Sequence, residues 1–267
     1  MLSLKKHMSS LWEELLYWHA ELVNQPETAI HEIRKRTKFL RALLAFVPGE
    51  TSPVKKDLRQ LSQILSPFRD ATAAIETYER LVQSFPAIEN LYLMTKLLEA
   101  PALQQRLPDK EARSQMAQSI GRLDTFFNTV EDEPNSSDLH DSLLRAVEKG
   151  RLALDAARQN VEPERLHTLR KKTKKLWYQF RFLTQERILP ADHPVNQTDR
   201  LGKLLGDIHD LDNLMAHPTF KHQSASAEIV HAHRLFLISE LVTAAVTFYE
   251  TQKSTILSSV EINIDRS

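Results

Sequence analysis

One helical motif occurs twice in this chain, first at His31 and again at His167. In each copy a histidine, an arginine and a lysine occupy positions i, i+3 and i+7: His31, Arg34 and Lys38, then His167, Arg170 and Lys174. Because an α-helix turns by about 100° per residue, these three positions share one face of a helix. Apolar residues fall on the opposite face: Ile33, Leu40 and Leu44 in the first copy, and Leu169, Leu176 and Phe180 in the second. The repeat therefore predicts two amphipathic helices, each with a buried back and a cationic front that suits an extended anion.

The rest of the chain shows the same helical periodicity. Apolar residues recur every three or four positions, and the alternation typical of strands is nearly absent. This spacing predicts helices over residues 9–24, 27–47, 54–83, 86–100, 109–131, 136–159, 163–189, 194–215 and 223–255, with a kink or break in the third near Pro67. Only 5 of the 267 residues are glycine and no glycine-rich phosphate loop is present, which argues against nucleotide-binding α/β folds. We therefore expect an all-α protein.

A second motif extends the duplication beyond the cationic helix. Arg69-Asp70 follows the first copy, and His209-Asp210 follows the second at a similar distance. Between the two halves, residues 131–137 are acidic and rich in Pro, Asn and Ser, as is typical of a junction. The duplication predicts two pseudo-symmetric helical bundles, residues 1–133 and 134–267, that form one structural unit.

Charge is distributed unevenly although the formal net charge is zero. Residues 31–41 contain five Lys or Arg and one acid, residues 165–175 contain six and no acid, and residues 124–141 contain six acids and no Lys or Arg. Local field rather than total charge governs the capture of an anion. The neutral total and the few aromatic residues on the basic faces argue against nucleic-acid binding.

Other features bear on location and chemistry. The chain has no cysteine, which excludes disulfides, thiolate zinc sites and cysteine nucleophiles. The longest apolar run, Leu235–Phe248, is interrupted by Glu240 and is too short for a membrane span. We expect a cytoplasmic protein.

The paired motifs resemble the CHAD domain, the conserved histidine α-helical domain. The matching residues in the first half are His31, Arg34, Lys38 and Arg41 with Arg69-Asp70. Those in the second half are His167, Arg170, Lys174 and Lys175 with the segment Leu205–Asp212. The resemblance covers nearly the whole chain and implies two bundles of the four-helix type facing each other across a basic groove that binds inorganic polyphosphate. It also implies a stand-alone member, without a triphosphate-tunnel catalytic domain, and leaves association with polyphosphate granules open.

The candidate polyphosphate-binding residues are the polar residues of both motifs and of the helices expected to face them. They are His31, Arg34, Lys38, Arg41, Arg69, His167, Arg170, Lys174, Arg181, Lys203 and His209. Trp177 stands where the first half has Arg41, and Arg181 would replace the missing charge. Arginine offers a planar fork to phosphate oxygens and lysine a mobile point charge, so a mixture suits a phosphate chain. The alternative interpretation is an ordinary solvated basic face.

Three further expectations concern neighbouring groups and pH. Thr37, Thr173 and Tyr178 could add neutral donors, although a threonine fits equally well as a packing residue. Asp70 and Asp210 are expected to orient basic neighbours. A bound polyanion would raise the pKa of His31 and His167, which predicts tighter binding at mildly acidic pH.

Binding without turnover is the function we expect, with no catalytic residue, metal or cofactor. One alternative is a metal-assisted phosphohydrolase or phosphotransferase that uses the carboxylates and histidines of residues 207–212 and the nearby His217, His222, His231 and His233. Their spacing matches no recognisable metal site. A nucleic-acid-binding helical protein is the other alternative.

Overall fold

The computed structural model describes residues 3–88, 107–130, 136–189, 193–216 and 224–251, together with positions 96, 99, 134 and 220. These residues form nine α-helices and no strand: Leu4–Ala20 (α1), Pro26–Leu43 (α2), Ser52–Ile64 (α3), Ser66–Ser84 (α4), Lys110–Thr129 (α5), Ser136–Gln159 (α6), Pro163–Gln185 (α7), His193–Ala216 (α8) and Ser224–Val246 (α9). A 3₁₀ turn, Pro86–Ile88, follows α4, and a π-helical turn, Thr247–Thr251, follows α9. The all-α fold class is confirmed. Most of the helix expected over residues 86–100 lies outside the described residues.

Proline positions explain several helix boundaries. Both motif helices carry a proline at their first residue, Pro26 in α2 and Pro163 in α7, where the missing N–H would have had no partner within the helix. Pro67 lies in the first turn of α4, and the expected helix over residues 54–83 is divided at Leu65 into α3 and α4. A proline further inside a helix would remove a backbone hydrogen bond and clash with the preceding turn, so the chain starts a new helix instead. The predicted break near Pro67 is confirmed.

The apolar backs of the motif helices form the centre of the core. Ile33, Leu40 and Leu44 of the first half are at most 1% exposed, and so are Leu169, Leu176 and Phe180 of the second. Each fully buried side chain of this kind contributes about 1.5–3 kcal/mol of hydrophobic stabilisation. One continuous cluster of buried residues contains side chains from both halves. The amphipathic character read from the repeat is therefore confirmed for both helices.

Helix packing brings the two halves together. Helix α2 packs on α1, α3 and α7, while α7 packs on α6 and α8. Helix α4 contacts α8, so the helices carrying Arg69-Asp70 and His209-Asp210 also meet. The two motif helices thus lie side by side, and their polar fronts border the contact between α4 and α8. The division into two pseudo-symmetric bundles, residues 1–133 and 134–267, stays a prediction.

The last helix is unusually apolar. The segment Ser226–Glu250 is 25 residues long, and its most apolar stretch has a mean hydropathy of 1.4. By length and composition alone, this segment could cross a membrane. About a third (33%) of that stretch is buried in the fold, and Leu235 and Phe236 are exposed. Core helices of soluble proteins also reach this apolarity, so the expectation of a chain without a membrane span is not tested by it.

Candidate functional site

The cationic fronts of α2 and α7 meet in one place. Five residues there form what we call the central cluster: Arg34, Lys38, Arg69, Arg170 and Lys174. Lys38 lies among the other four, and burial together with their positive charges lowers its pKa from 10.5 to about 8. The Lys38 side chain nevertheless remains open to solvent. A cation held this close to others, yet reachable from water, is suited to bind an anion.

Arg34 contributes to the fold as well as to the charge. One of its guanidinium nitrogens donates to the carbonyl oxygen of Ser62 and to the hydroxyl of Ser66, both at 2.6 Å. These bonds attach α2 to the break between α3 and α4. Burial lowers the Arg34 pKa, Asp70 opposes that shift, and Arg69 and Arg170 add to it. The first half therefore supplies a cation whose position is fixed by hydrogen bonds.

In the second half, two glycines of α8 accommodate the cations of α7. A Cβ atom on Gly202 would lie 2.9 Å from Cε of Lys174, closer than real Cβ contacts allow. A Cβ on Gly206 would lie 3.8 Å from a guanidinium nitrogen of Arg170, which is ordinary contact. Lys174 also lies over the Trp177 ring, with its Nζ atom 4.7 Å from the ring centroid. Gly202 and Trp177 together keep Lys174 directed along the surface between α7 and α8.

Two of the predicted histidines touch each other. The rings of His167 and His209 lie 4.6 Å apart between centroids, at 33° between planes. Burial, followed by the positive charges of Lys171 and other neighbours, lowers the His167 pKa to about 4. The His209 pKa is lowered too, mainly by burial and then by Arg170, although Asp70 and Asp212 oppose the shift. Both imidazoles are therefore neutral in the free protein near pH 7.

His31 lies at the edge of the central cluster. Its side chain is 55% exposed, and its pKa is lowered by burial and by Arg69, Lys35 and Lys38. Low pKa values in the free protein leave room for a bound polyanion to raise them. The tighter binding expected at mildly acidic pH stays a prediction.

Carboxylates near the cluster are engaged by arginines. Arg80 of α4 reaches Asp207 at 3.1 Å and Asp210 at 3.8 Å, which joins α4 to α8. Burial raises the Asp210 pKa, while Arg170, Arg80 and Arg69 oppose that shift. Asp212 instead pairs with Arg234 of α9, and both side chains are nearly buried.

Within the described part of the chain, no three His, Cys, Asp or Glu side chains converge in a way that could hold a metal ion. His217 and His222 lie outside the described residues.

Several polar groups of the site have no partner. The Nε atoms of Arg34 and Arg170 and the Nδ1 atom of His167 are buried without a hydrogen bond. The side chains of Lys38, Arg170 and Lys174 make no hydrogen bond or ion pair with any residue that the structure describes. A buried polar group left unsatisfied costs about 1–3 kcal/mol. The site thus has more donors than acceptors, which is the imbalance that an anion would correct.

Three predicted binding residues are not members of the central cluster. Arg41 has Arg59 as its charged neighbour, and burial and Arg59 lower its pKa. Arg181 lies over the rings of Phe39 and Trp177, at 5.6 and 5.7 Å from their centroids. Lys203 pairs with Asp199 at 2.8 Å and borders the cluster through Lys174.

The neutral donors suggested by the sequence belong to the interior. The Thr37 hydroxyl bonds with that of Ser62 at 2.8 Å, and the Thr173 hydroxyl bonds with that of Tyr249 at 3.2 Å. Tyr178 is buried and stacks on Phe39, and burial raises its pKa to about 12. For these residues the packing interpretation is correct, because each is at most 6% exposed.

Two residues near the site were missed from the sequence. Lys171 is exposed and influences both His167 and His209. Its position one helical turn after His167 could have revealed it. Arg80 gives no sequence signal, because only the contact between α4 and α8 brings it to Asp207.

Comparison with known protein families gives a match over most of the chain. A family model described as the CHAD domain matches residues 6–217, which include both motif helices and the helices that face them. No curated protein and no solved structure matches the chain.

Proposed function

Because the chain belongs to the CHAD domain family, which is associated with polyphosphate-related binding, we propose that it binds inorganic polyphosphate at the central cluster without turning it over. The observation that carries the proposal is the convergence of Lys38, Arg170 and Lys174. These cations come from both halves and have no ion-pair partner among the described residues. An external polyanion would supply the missing negative charge.

An extended anion fits the cluster better than a single phosphate. The cations are carried by α2, α4 and α7, and Lys203 on α8 borders them. Arg69 of α4 also pairs with Glu76 at 2.9 Å, so the cations without an ion-pair partner are those of α2 and α7. A chain of phosphates would contact several of them at once, and the release of its counterions would add the modest contacts together. Affinity should therefore rise with chain length and fall steeply with salt.

The metal-assisted alternative finds little support in the carboxylates of α8. Asp207 and Asp210 face Arg80, and Asp212 pairs with Arg234, so a divalent ion would have to compete with an arginine for each of the three carboxylates. Incubation with polyphosphate and Mg²⁺ or Mn²⁺, followed by assay of free phosphate, tests this alternative directly. Steady release that requires the protein would contradict binding without turnover.

Nucleic-acid binding is the weaker alternative because the cluster offers no stacking platform. Tyr178 is buried and Trp177 is covered by Lys174. Exposed aromatic faces are what single-strand binders use to hold bases. Competition between polyphosphate and RNA for the site measures this preference.

The decisive experiment compares two triple variants with the same change in charge. The test variant combines Lys38→Gln, Arg170→Gln and Lys174→Gln. The control combines Lys6→Gln, Lys110→Gln and Arg113→Gln, three exposed positions on α1 and α5. Hydrogen bonds to charged groups are worth about 1.5–3 kcal/mol each, so the loss of three contacts should cost about 4.5 kcal/mol or more. The test variant should therefore bind polyphosphate at least about 1000-fold more weakly than wild type. Equal losses in both variants at constant salt would reject the proposed site.

A further inference from the structure

A second group of cations lies on the other side of α7. It consists of five residues from α3, α6 and α7, which we call the lateral cluster: Lys55, Arg145, Lys149, Lys172 and Lys175. Burial and the positive charges of the other four lower the Lys175 pKa to about 8, and no carboxylate opposes that shift. The Lys55 pKa is lowered as well, by burial and by Lys149, while Glu50 opposes that shift. The whole chain has equal numbers of Lys plus Arg and Asp plus Glu residues, so this group is a local excess of positive charge.

Hydrogen bonds fix α6 and α7, the two helices that carry most of the lateral cluster. The amide of Gln179, one turn after Lys175, donates to the carbonyl oxygen of Ala42 at 3.2 Å. The Ser142 hydroxyl, one turn before Arg145, donates to the carbonyl oxygen of Ala45. Both bonds end on the last turn of α2 or just after it, so α6 and α7 are attached to the same piece of backbone. The four members of the lateral cluster on α6 and α7 are therefore carried by helices whose relative position is fixed.

The polar side of α7 connects the two clusters. Successive residues of a helix are displaced by about 100°, so Lys171 projects between the side of Lys174 and that of Lys175. Lys171 is exposed and contributes to the electrostatic environment of His167 and His209, which border the central cluster. Lys172 is one of the positive charges that lower the Lys175 pKa. Cations thus form a band around the solvent side of α7.

We propose that the lateral cluster binds a further segment of a long polyphosphate chain that crosses the exposed side of α7 from the central cluster. This inference rests on the proposed function and extends it to chain-length selectivity. A short oligophosphate would be satisfied by the central cluster, whereas a long chain would also engage Lys172, Lys175 and Lys149. Inorganic polyphosphate is the occupant that fits, because one flexible molecule with a charge on every unit can contact both clusters.

The test is a binding comparison with two probes, tripolyphosphate and long-chain polyphosphate. The lateral variant combines Lys149→Gln, Lys172→Gln and Lys175→Gln. The Lys6, Lys110 and Arg113 variant is the control for charge, because none of these residues is among the charged neighbours of Lys175 or Lys38. Thermal unfolding of each variant establishes that it is folded.

For long-chain polyphosphate we expect the lateral variant to bind at least about tenfold more weakly than the control. The slope of log K against log salt should become shallower by about 2, at roughly 0.7 per lost phosphate contact. Binding of tripolyphosphate should equal that of the control.

Contrary outcomes separate the two proposals. A lateral variant that binds the long chain like the control, while the Lys38, Arg170 and Lys174 variant loses it, overturns the lateral cluster alone. A wild-type protein that binds neither probe overturns the proposed function and this inference with it.

Discussion

Replacing Lys38 with methionine is predicted to stabilise the protein while it weakens anion binding. Lys38 is held among Arg34, Arg69, Arg170 and Lys174, which together with burial lower its pKa from 10.5 to about 8. At about 1.36 kcal/mol per pKa unit, this shift sets an upper limit of roughly 3 kcal/mol on the penalty for folding with Lys38 charged. Because the side chain is exposed, solvent screening reduces the expected gain to about 1 kcal/mol. For a chain of this size that corresponds to a rise in Tm of about 2–4 °C at pH 7.

The pH dependence of this gain identifies its cause. Between pH 8 and 10.5 the unfolded chain binds more protons at Lys38 than the folded protein does, so the penalty shrinks as pH rises through this window. The Tm difference between Lys38→Met and wild type should be complete below pH 8 and vanish above 10.5.

Thermal unfolding of wild type, Lys38→Met and Lys35→Met across this pH range is the assay. Lys35 lies on the same helix but contacts Glu32 at 3.3 Å, so its replacement should bring no gain. A lower Tm for Lys38→Met at pH 7, or a gain that stays constant with pH, would refute the reasoning.

Three other predictions follow from the central cluster. Tripolyphosphate affinity should fall from pH 7 to 9 as free Lys38 loses its proton near pH 8, and calorimetry in buffers of different ionisation enthalpy should detect proton uptake on binding; Lys38→Met should lack both effects with this short probe, which does not reach Lys175. Arg34→Lys should destabilise the fold by about 1–2 kcal/mol in denaturant unfolding, because the shorter lysine side chain does not place its nitrogen where the Arg34 guanidinium nitrogen bonds both Ser62 and Ser66, and unchanged stability would contradict that role. Gly202→Ala should weaken polyphosphate binding severalfold with little change in Tm, since the new Cβ displaces the flexible end of Lys174; binding equal to wild type would show that the position of Lys174 is unimportant.

Local sequence patterns predicted the helices well because the information is local. The apolar spacing around Ile33 and Leu169 placed both motif helices and their buried faces, and Pro67 marked the break between α3 and α4. Helical periodicity and the missing N–H of proline act within a few residues, so they can be read without knowledge of the fold.

The contacts between charges could not be read in that way. Arg41 and Lys38 share a helical face, yet Arg41 lies beside Arg59 whereas Lys38 lies among the cations of α7. Asp212 and Asp210 belong to one motif, yet they pair with arginines of different helices. Which charges meet depends on how whole helices pack.

The amino-acid sequence alone determined that two amphipathic helices with cationic fronts are present, because amphipathicity follows from residue spacing. Only the tertiary structure decided that Lys38, Arg170 and Lys174 converge without an ion-pair partner among the described residues, and that Lys175 joins a separate lateral cluster. The physical reason is that pKa shifts and unpaired donors arise from burial and from neighbours distant in the chain, which exist only once α2, α6, α7 and α8 have packed.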